Sequence, residues 1–338
     1  MCDFAIRNLS GRGRPLDYYE DRPGEVRSGR RGRGVISVII PTYNRALFLE
    51  RSIRSVAEQT RACGELIVVD DGSTDDTRLR VAACAAQTAI PVRYIHQDNQ
   101  GAAAARNTGI KAARGELLAF LDSDDRFVPE KLARQFKAMR DEPQYLVSHT
   151  RETWYRHGRI LRQKKKHQPP HGEIFKACLK MCMVGMSTVM VRKELFDRYG
   201  MFDESLPCCE DYDFWLRVSA REKFLLLDRP LTLKDGGRRD QLSAIYRLGM
   251  DQYRIRSLVR LLDRTPLAAW QYELAVAELE RKCEIYGNGC IKHGRLAAGR
   301  ACLDLPLKYR RAAGTTDTRG ATPGCADVHP GDDCDLNP

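Results

Sequence analysis

The sequence predicts an α/β protein built on a parallel, doubly wound sheet. Three observations carry that prediction. Apolar, β-branched runs of strand length alternate with helix-patterned stretches from Val35 to Ala113. Each run ends in a polar loop. The last, Leu117-Leu-Ala-Phe-Leu121, ends in three carboxylates, Asp122, Asp124 and Asp125. Strands alternating with short helices imply βα units, and such sheets bind ligands beyond the carboxyl ends of their strands.

Residues 1–34 are rich in Arg and Gly and lack an apolar core. They read as a disordered basic arm rather than a secretory signal. The first strand is expected over 35–40, stopped by Pro41. Thr42-Tyr43-Asn44 then forms a turn, with Asn44 placed to cap a helix. Leu49, Ile53 and Val56 fall on one face of that helix. A second strand, 65–69, runs into Asp70-Asp71-Gly72-Ser73-Thr74-Asp75, a turn and N-cap cluster. A third, 92–96, leads through Asp98-Asn99-Gln100-Gly101 to an Ala-rich helix over 102–113, closed by Gly115.

Beyond the acidic loop, Pro129 suits the first turn of a helix with Leu132, Phe136 and Met139 as its buried stripe. A strand near 145–148 and a hairpin over 153–161, turning at His157-Gly158, come next. Then follow a strand over 187–191 and a short helix over 192–199 closed by Gly200. A helix opens at Glu210 and runs to about 220. Two short strands, 224–227 and 231–234, complete a predicted domain over 35–240. A helical extension is expected over 241–311 and a disordered tail over 312–338. No internal repeat is present.

The 338 residues allow one large or two modest domains with a substantial core. No apolar run approaches the roughly 18 residues of a membrane span. The expected location is the cytoplasm, with peripheral contact at the inner membrane face. Net charge is +11, concentrated in 7–33 and 151–166. That balance suits nucleic acid, an anionic membrane or a phosphate-bearing substrate. No helix-turn-helix, zinc-finger or aromatic RNA-binding signature supports the first, so no nucleic-acid partner is expected. The 12 cysteines are scattered. Cys178 with Cys182 and Cys208 with Cys209 lack the Cys-x-x-Cys knuckle of zinc sites, which favours reduced thiols.

Packing gives no reason to gather three acids at a strand end, because like charges repel. A hard divalent cation, Mg²⁺ or Mn²⁺, removes that cost through one or two carboxylates and the phosphates of a substrate. The plain alternative is an Asp-rich surface turn.

Five motifs stand in order: Val38-Ile-Ile-Pro-Thr-Tyr-Asn44, Val68-Val-Asp-Asp-Gly-Ser-Thr-Asp75, Asn99-Gln-Gly-Ala-Ala-Ala-Ala-Arg-Asn-Thr-Gly109, Leu121-Asp-Ser-Asp-Asp125 and Glu210-Asp-Tyr-Asp-Phe-Trp215. Through them the chain, over 35–237, resembles the inverting glycosyltransferases of family 2. The resemblance implies the GT-A fold, a nucleotide-diphospho-sugar transferase architecture with a Rossmann-like mixed sheet, here followed by the helical extension. It implies that Thr42 and Tyr43 hold the nucleotide base and ribose, Tyr43 by stacking. It assigns the base edge to Asp70 or Asp71 and a ligand contact to Arg106, with Asn107 bracing the loops. The acidic loop becomes the family's Asp-x-Asp motif. Asp124 and Asp122 are first choices for metal and ribose, and Asp125 is the close alternative. Asp211 is the expected base, and Asp213 is structural.

One departure stands out. Where relatives often place a His after Gly-Gly, Gly236-Gly237 is followed by Arg238-Arg239. Two guanidiniums can bind a diphosphate directly, and the third metal ligand stays open. The implied donor is a nucleotide sugar, most often a UDP-sugar. The implied acceptor is a carbohydrate or lipid-linked hydroxyl, in cell-surface polysaccharide or glycolipid synthesis. The basic run 162–166 would suit anionic lipid headgroups. A catalytically silent sugar-nucleotide-binding relative is the competing reading; the retained Asp124 and Asp211 favour the enzyme.

Overall fold

A computed structural model describes residues 35–314 of the chain. The arm predicted over 1–34 and the tail beyond 314 lie outside the described residues; residues 312–314, assigned to that tail, are helical. The strands β1 (Ile36–Thr42), β2 (Glu65–Asp70), β3 (Val92–His96) and β4 (Leu117–Phe120) run parallel in the order β3-β2-β1-β4. β1, β2 and β4 are buried along their whole length, which is why they read as unbroken apolar runs. Successive side chains serve opposite faces. Val38 and Ile40 pack with Leu49, Ile53 and Val56 of α1 (Ala46–Ala57) and Val81 of α2 (Thr77–Ala86). Ile39 packs with Ala103, Ala105 and Ile110 of α3 (Ala102–Ala112).

The second half makes the sheet mixed. After β5 (Arg126–Phe127) come α4 (Lys131–Asp141), β6 (Val147–Arg156), β7 (Arg159–Leu161), α5 (Phe175–Lys180) and β8 (Met190–Arg192). Then follow α6 (Glu194–Tyr199), α7 (Glu210–Ser219) and β9 (Phe224–Gly236). β8 pairs antiparallel with β4, β6 antiparallel with β8, β9 parallel with β6, and β5 antiparallel with β9. The helices α8 (Leu242–Ile245), α9 (Met250–Arg264), α10 (Ala269–Lys292), α11 (Leu296–Asp304) and α12 (Pro306–Gly314) close the described chain. Ile255, Leu258 and Leu261 of α9 and Ala275 and Leu279 of α10 share one apolar cluster with Tyr212 and Trp215 of α7. The extension therefore buttresses the helix that carries the Glu-Asp motif.

Several local expectations change. The strand expected near 145–148 and the first arm of the hairpin expected over 153–161 are one strand, β6. Pro41 does not stop β1; it stands opposite Val69 inside the strand. Ile39 accepts a bond from Leu121, so Pro41, two residues on, faces the side where β4 has already ended, and its missing N–H costs nothing. Asn44 is not a side-chain cap. Its backbone is left-handed (φ 50), its N–H donates to Ser73 Oγ at 2.8 Å, and its Oδ1 accepts from Thr74 N at 2.8 Å. The two strands expected over 224–234 are one, bent where its register with β6 shifts around Arg151, opposite Pro230. The strand expected over 187–191 begins as a 3₁₀ turn, Met186–Thr188.

His149 on β6 is fully buried, its Nε2 donating to Pro170 O at 2.9 Å and its ring edge-on to Phe224. Burial, with His171 adding, lowers its pKa to about 4. The unfolded chain takes up this proton near pH 6.5, while the folded chain resists it. Stability is thus full above about 6.5 and falls as pH drops toward 4, by about 3 kcal/mol between pH 7 and pH 4. Urea midpoints across that range should show this acid loss in the wild type and a flatter profile in His149→Leu.

Candidate active site

Because β1 to β4 are parallel, the loops that follow them gather at one edge of the sheet. Asp70 closes β2, fully buried; its carboxylate accepts from Ser73 N at 2.9 Å and from the Tyr94 hydroxyl. Asp71 accepts from Gln97 Nε2 at 2.7 Å, Gln100 N at 3.0 Å and Gly101 N at 2.8 Å. It therefore ties the β2 loop to the turn that opens α3. Gly72 (φ 81) is needed there, since a Cβ would sit 2.9 Å from Asn99 N. Both acids brace loops here, at the places where the resemblance expects a base contact. Thr42 is buried with its hydroxyl oxygen unpartnered, and Tyr43 beside it is 48 % exposed. An orphaned buried hydroxyl beside an exposed ring is an arrangement a ligand completes.

The acidic loop spreads its carboxylates in three directions. Asp122 accepts from Arg106 Nη2 at 2.8 Å, and its backbone N donates to Ser187 Oγ at 3.0 Å. Burial alone would raise the Asp122 carboxyl, but Arg106, then Lys234, hold it below the ordinary value. Asp124 pairs with Arg238 and accepts from Gln241 Nε2 at 3.0 Å. Asp125 turns inward. Ser187 Oγ donates to it at 2.7 Å, Ser52 Oγ donates to its backbone carbonyl at 2.7 Å, and its second carboxylate oxygen is buried without a partner. Burial pushes the Asp125 carboxyl well up; Lys234 opposes that, while Asp122 and Asp124 add to it.

Lys234 of β9 lies near enough to this loop for its charge to act on Asp122 and Asp125. Glu152 foremost raises its pKa against burial, with Asp125, Asp122 and Asp124 contributing. Among the described residues, no group of three or more His, Cys, Asp or Glu side chains is arranged to hold a metal ion. The three carboxylates are thus not one ligand set. The loop does fit a cation held by one or two acids and a diphosphate. Asp124 and Asp122 keep part of their side chains exposed, at 13 % and 28 %, whereas Asp125 is sealed and braces the loop.

Arg106 joins the two halves of the site. It is buried on α3, with Nη2 on Asp122 and Nη1 on Glu210 at the start of α7. Burial would weaken the charge on Arg106, but Asp122 and Glu210, with Asp211, raise its pKa. Asp211 follows Glu210; its Oδ2 accepts from Cys182 Sγ at 3.1 Å and its Oδ1 from Tyr212 N at 2.7 Å. α7 is anchored behind them. Tyr212 Oη donates to Leu179 O at 2.7 Å, Phe214 stacks on Phe196 at 5.2 Å, and Trp215 is buried. Asp213 faces away, paired with Arg217 at 3.1 Å, and is structural. Asn107 braces the chain after α6 through Phe202 N and O. The described cysteines are all free thiols.

Arg106 bridges Asp122 and Glu210, and Arg238 engages Asp124 directly. Sequence reasoning missed Ser187, Lys234, Gln241 and Cys182. Ser187 and Lys234 sat inside segments read as strands. Gln241 and Cys182 carry no motif, and only the folded chain brings them to the acids.

The profile of Glycosyl transferase family 2 matches residues 37–200. An uncharacterized glycosyltransferase of Rickettsia conorii is 37 % identical over 202 residues, 58 % of this chain and 32 % of that protein. Escherichia coli WfgD, named a UDP-Glc:alpha-D-GlcNAc-diphosphoundecaprenol beta-1,3-glucosyltransferase, is 33 % identical over 189 residues, 54 % of this chain and 69 % of its own length. Among solved structures, S. aureus TarS (1–349) in complex with UDP-GlcNAc aligns with a TM-score of 0.62 at 22 % identity, over 82 % of this chain and 81 % of that one. The mannosyltransferase PcManGT of Pyrobaculum calidifontis, in complex with GDP-Man and Mn²⁺, aligns at 0.54 and 18 % identity, over 82 % and 83 %. These two share the GT-A fold with this chain. The matched stretch spans about a third of the length of the Rickettsia conorii relative.

Proposed function

The chain belongs to glycosyltransferase family 2, and from that premise we propose that it moves a sugar from a UDP-sugar to a hydroxyl of a lipid-linked or other carbohydrate acceptor, inverting the anomeric centre. The observation that carries this reading is the Asp122–Arg106–Glu210 bridge. Through it the acidic loop and the start of α7 stand on either side of one guanidinium. A donor diphosphate at the loop then leaves its sugar facing Asp211.

Thr42 and Tyr43 take the nucleoside, the hydroxyl by hydrogen bond and the ring by stacking. Asp70 and Asp71 shape the floor of that subsite. Asp124, with Asp122, would hold Mn²⁺ or Mg²⁺, which when bound supplies Lewis-acid stabilisation of the departing diphosphate. Arg238, already at Asp124, is placed to move onto the diphosphate oxygens. Asp211 takes the acceptor proton as the acceptor oxygen forms its bond to the anomeric carbon. The bond from that carbon to the diphosphate breaks, and the nucleoside diphosphate leaves with the electron pair. Cys182, donating to Asp211, holds the carboxylate in place. Its thiol stays protonated because burial, then Asp211, push its pKa well up.

The donor class is supported by the UDP-sugars in the names of WfgD and the TarS complex, and the lipid-linked acceptor by the name of WfgD. A thermal-shift screen of nucleotide sugars tests the reading. A UDP-sugar at about 100 times its Kd should stabilise the fold by about 2.7 kcal/mol, a rise of a few degrees, and more with Mn²⁺ than without. No shift with any nucleotide sugar would contradict the donor assignment, and equal shifts without Mn²⁺ would contradict the metal's role.

A further inference from the structure

The tip of the β6–β7 hairpin is exposed. Among the described residues β7 pairs only with β6, and all three of its residues are exposed. The turn His157-Gly158 takes left-handed geometry at both positions (φ 50 and 74), which closes a tight hairpin. Ile160 is 70 % exposed and Leu161 44 %. An edge strand that shows two adjacent aliphatic residues is a liability unless something covers it. Around them stand six exposed cations, Arg156, Arg159, Arg162 and Lys164 to Lys166, and no exposed acid lies between 156 and 166.

A second apolar segment leaves the same corner. Arg156 pairs with Gly236, and a Cβ on Gly237 would sit 2.8 Å from the Arg156 side chain. From there the chain passes through Arg238 and Gln241, which hold Asp124, into α8. Leu242, Ile245 and Leu248, spaced three apart, are 41 %, 59 % and 87 % exposed, with Arg247 among them. Aliphatic tips within a cationic collar match the boundary between headgroups and acyl chains of an anionic bilayer. They match nucleic acid poorly, because the two aromatic rings of this hairpin are engaged within the fold, Trp154 with His167 (centroids 5.1 Å apart) and Tyr155 with the Arg126 guanidinium at 6.0 Å. Among the described residues no helix is long and apolar enough to cross a membrane, so this surface would dock without spanning.

We propose that the β6–β7 hairpin and the basic run after it, with the 242–248 segment beside them, form a docking surface for an anionic lipid bilayer at the mouth of the donor site. It deepens the reading above by naming the surface from which a lipid-borne acceptor arrives. The hairpin supplies charge and two shallow aliphatic anchors, and α8 supplies the adjoining apolar contact.

The test is sedimentation of the full chain with phosphatidylcholine vesicles, with and without phosphatidylglycerol, and without any sugar nucleotide. Wild type should bind the anionic vesicles and not the neutral ones. K164Q/K165Q/K166Q should weaken that binding at least about tenfold at low salt. I160S/L161S should abolish the part that survives high salt. All five positions are exposed, so unchanged melting temperatures verify folding. Equal binding to neutral and anionic vesicles, wild-type binding by both variants, or capture by heparin with no vesicle binding would each overturn the proposal. A nucleotide-sugar thermal shift on the same samples separates the two readings. Lost vesicle binding with donor binding intact rejects only the docking surface.

Discussion

Asp211→Asn should leave UDP-sugar and Mn²⁺ binding at wild-type strength and lower kcat by about 10²–10⁴-fold, the range a positioned general base contributes. The amide keeps the size of the carboxylate; its oxygen can still accept from Tyr212 N, while its NH2 replaces the oxygen that accepts from Cys182 and can only donate toward that sulfur. It cannot take the acceptor proton. Loss of kcat with KM unchanged marks an interaction made only in the transition state. Glu210 is no substitute, because it is buried and committed to Arg106. Near wild-type turnover by Asp211→Asn would show that the proton goes elsewhere.

Asp124→Ala should remove the Mn²⁺-dependent part of nucleotide binding and, with it, transfer. Loss of a group that only orients a metal ligand costs about 10–100-fold in affinity, so loss of the ligand itself should cost at least as much. The substitution also frees Arg238 and Gln241 from their shared acceptor. Asp124→Asn separates the two effects, since it keeps an acceptor for both side chains but drops the charge a cation needs. Titration calorimetry with UDP, with and without Mn²⁺, should show the metal-dependent increment lost in both variants. The metal-independent remainder should be kept best in Asp124→Asn. An undiminished Mn²⁺ increment in both would move the cation away from Asp124.

The parallel half of the sheet was open to reading because burial on both faces leaves little ambiguity. A stretch such as Leu66-Ile-Val-Val69 has no polar side to misplace, and its turn residues mark where it ends. The later strands were harder. β9 is a single strand carrying Asp228-Arg229-Pro230, residues that signal a turn in isolation, and only its register shift against β6 absorbs them. Pro41 misled for the opposite reason. The end of β4, invisible in sequence, decides whether a missing N–H matters.

At the site, the family resemblance pointed to Asp122, Asp124, Asp211 and Arg106 but not to the directions in which they point. Ser187 holds Asp125 inward across a long sequence separation, and Lys234 acts on the acids through its charge from a strand whose pattern suggested only packing. Side-chain networks of this kind join distant segments, and no local pattern encodes them. Arg238 was visible as a departure from the expected His, although its partner, Asp124, was not.

The central claim is that one donor lies between the Asp122–Asp124 loop and Asp211. A crystal structure of the chain with the UDP-sugar named by the thermal screen and Mn²⁺ measures this most directly. The account predicts the diphosphate joined to Asp124 through the cation, Tyr43 against the base, and Asp211 facing the anomeric carbon from the side opposite the departing phosphate. A diphosphate bound away from Asp124, or an Asp211 on the same side as the leaving group, would contradict it.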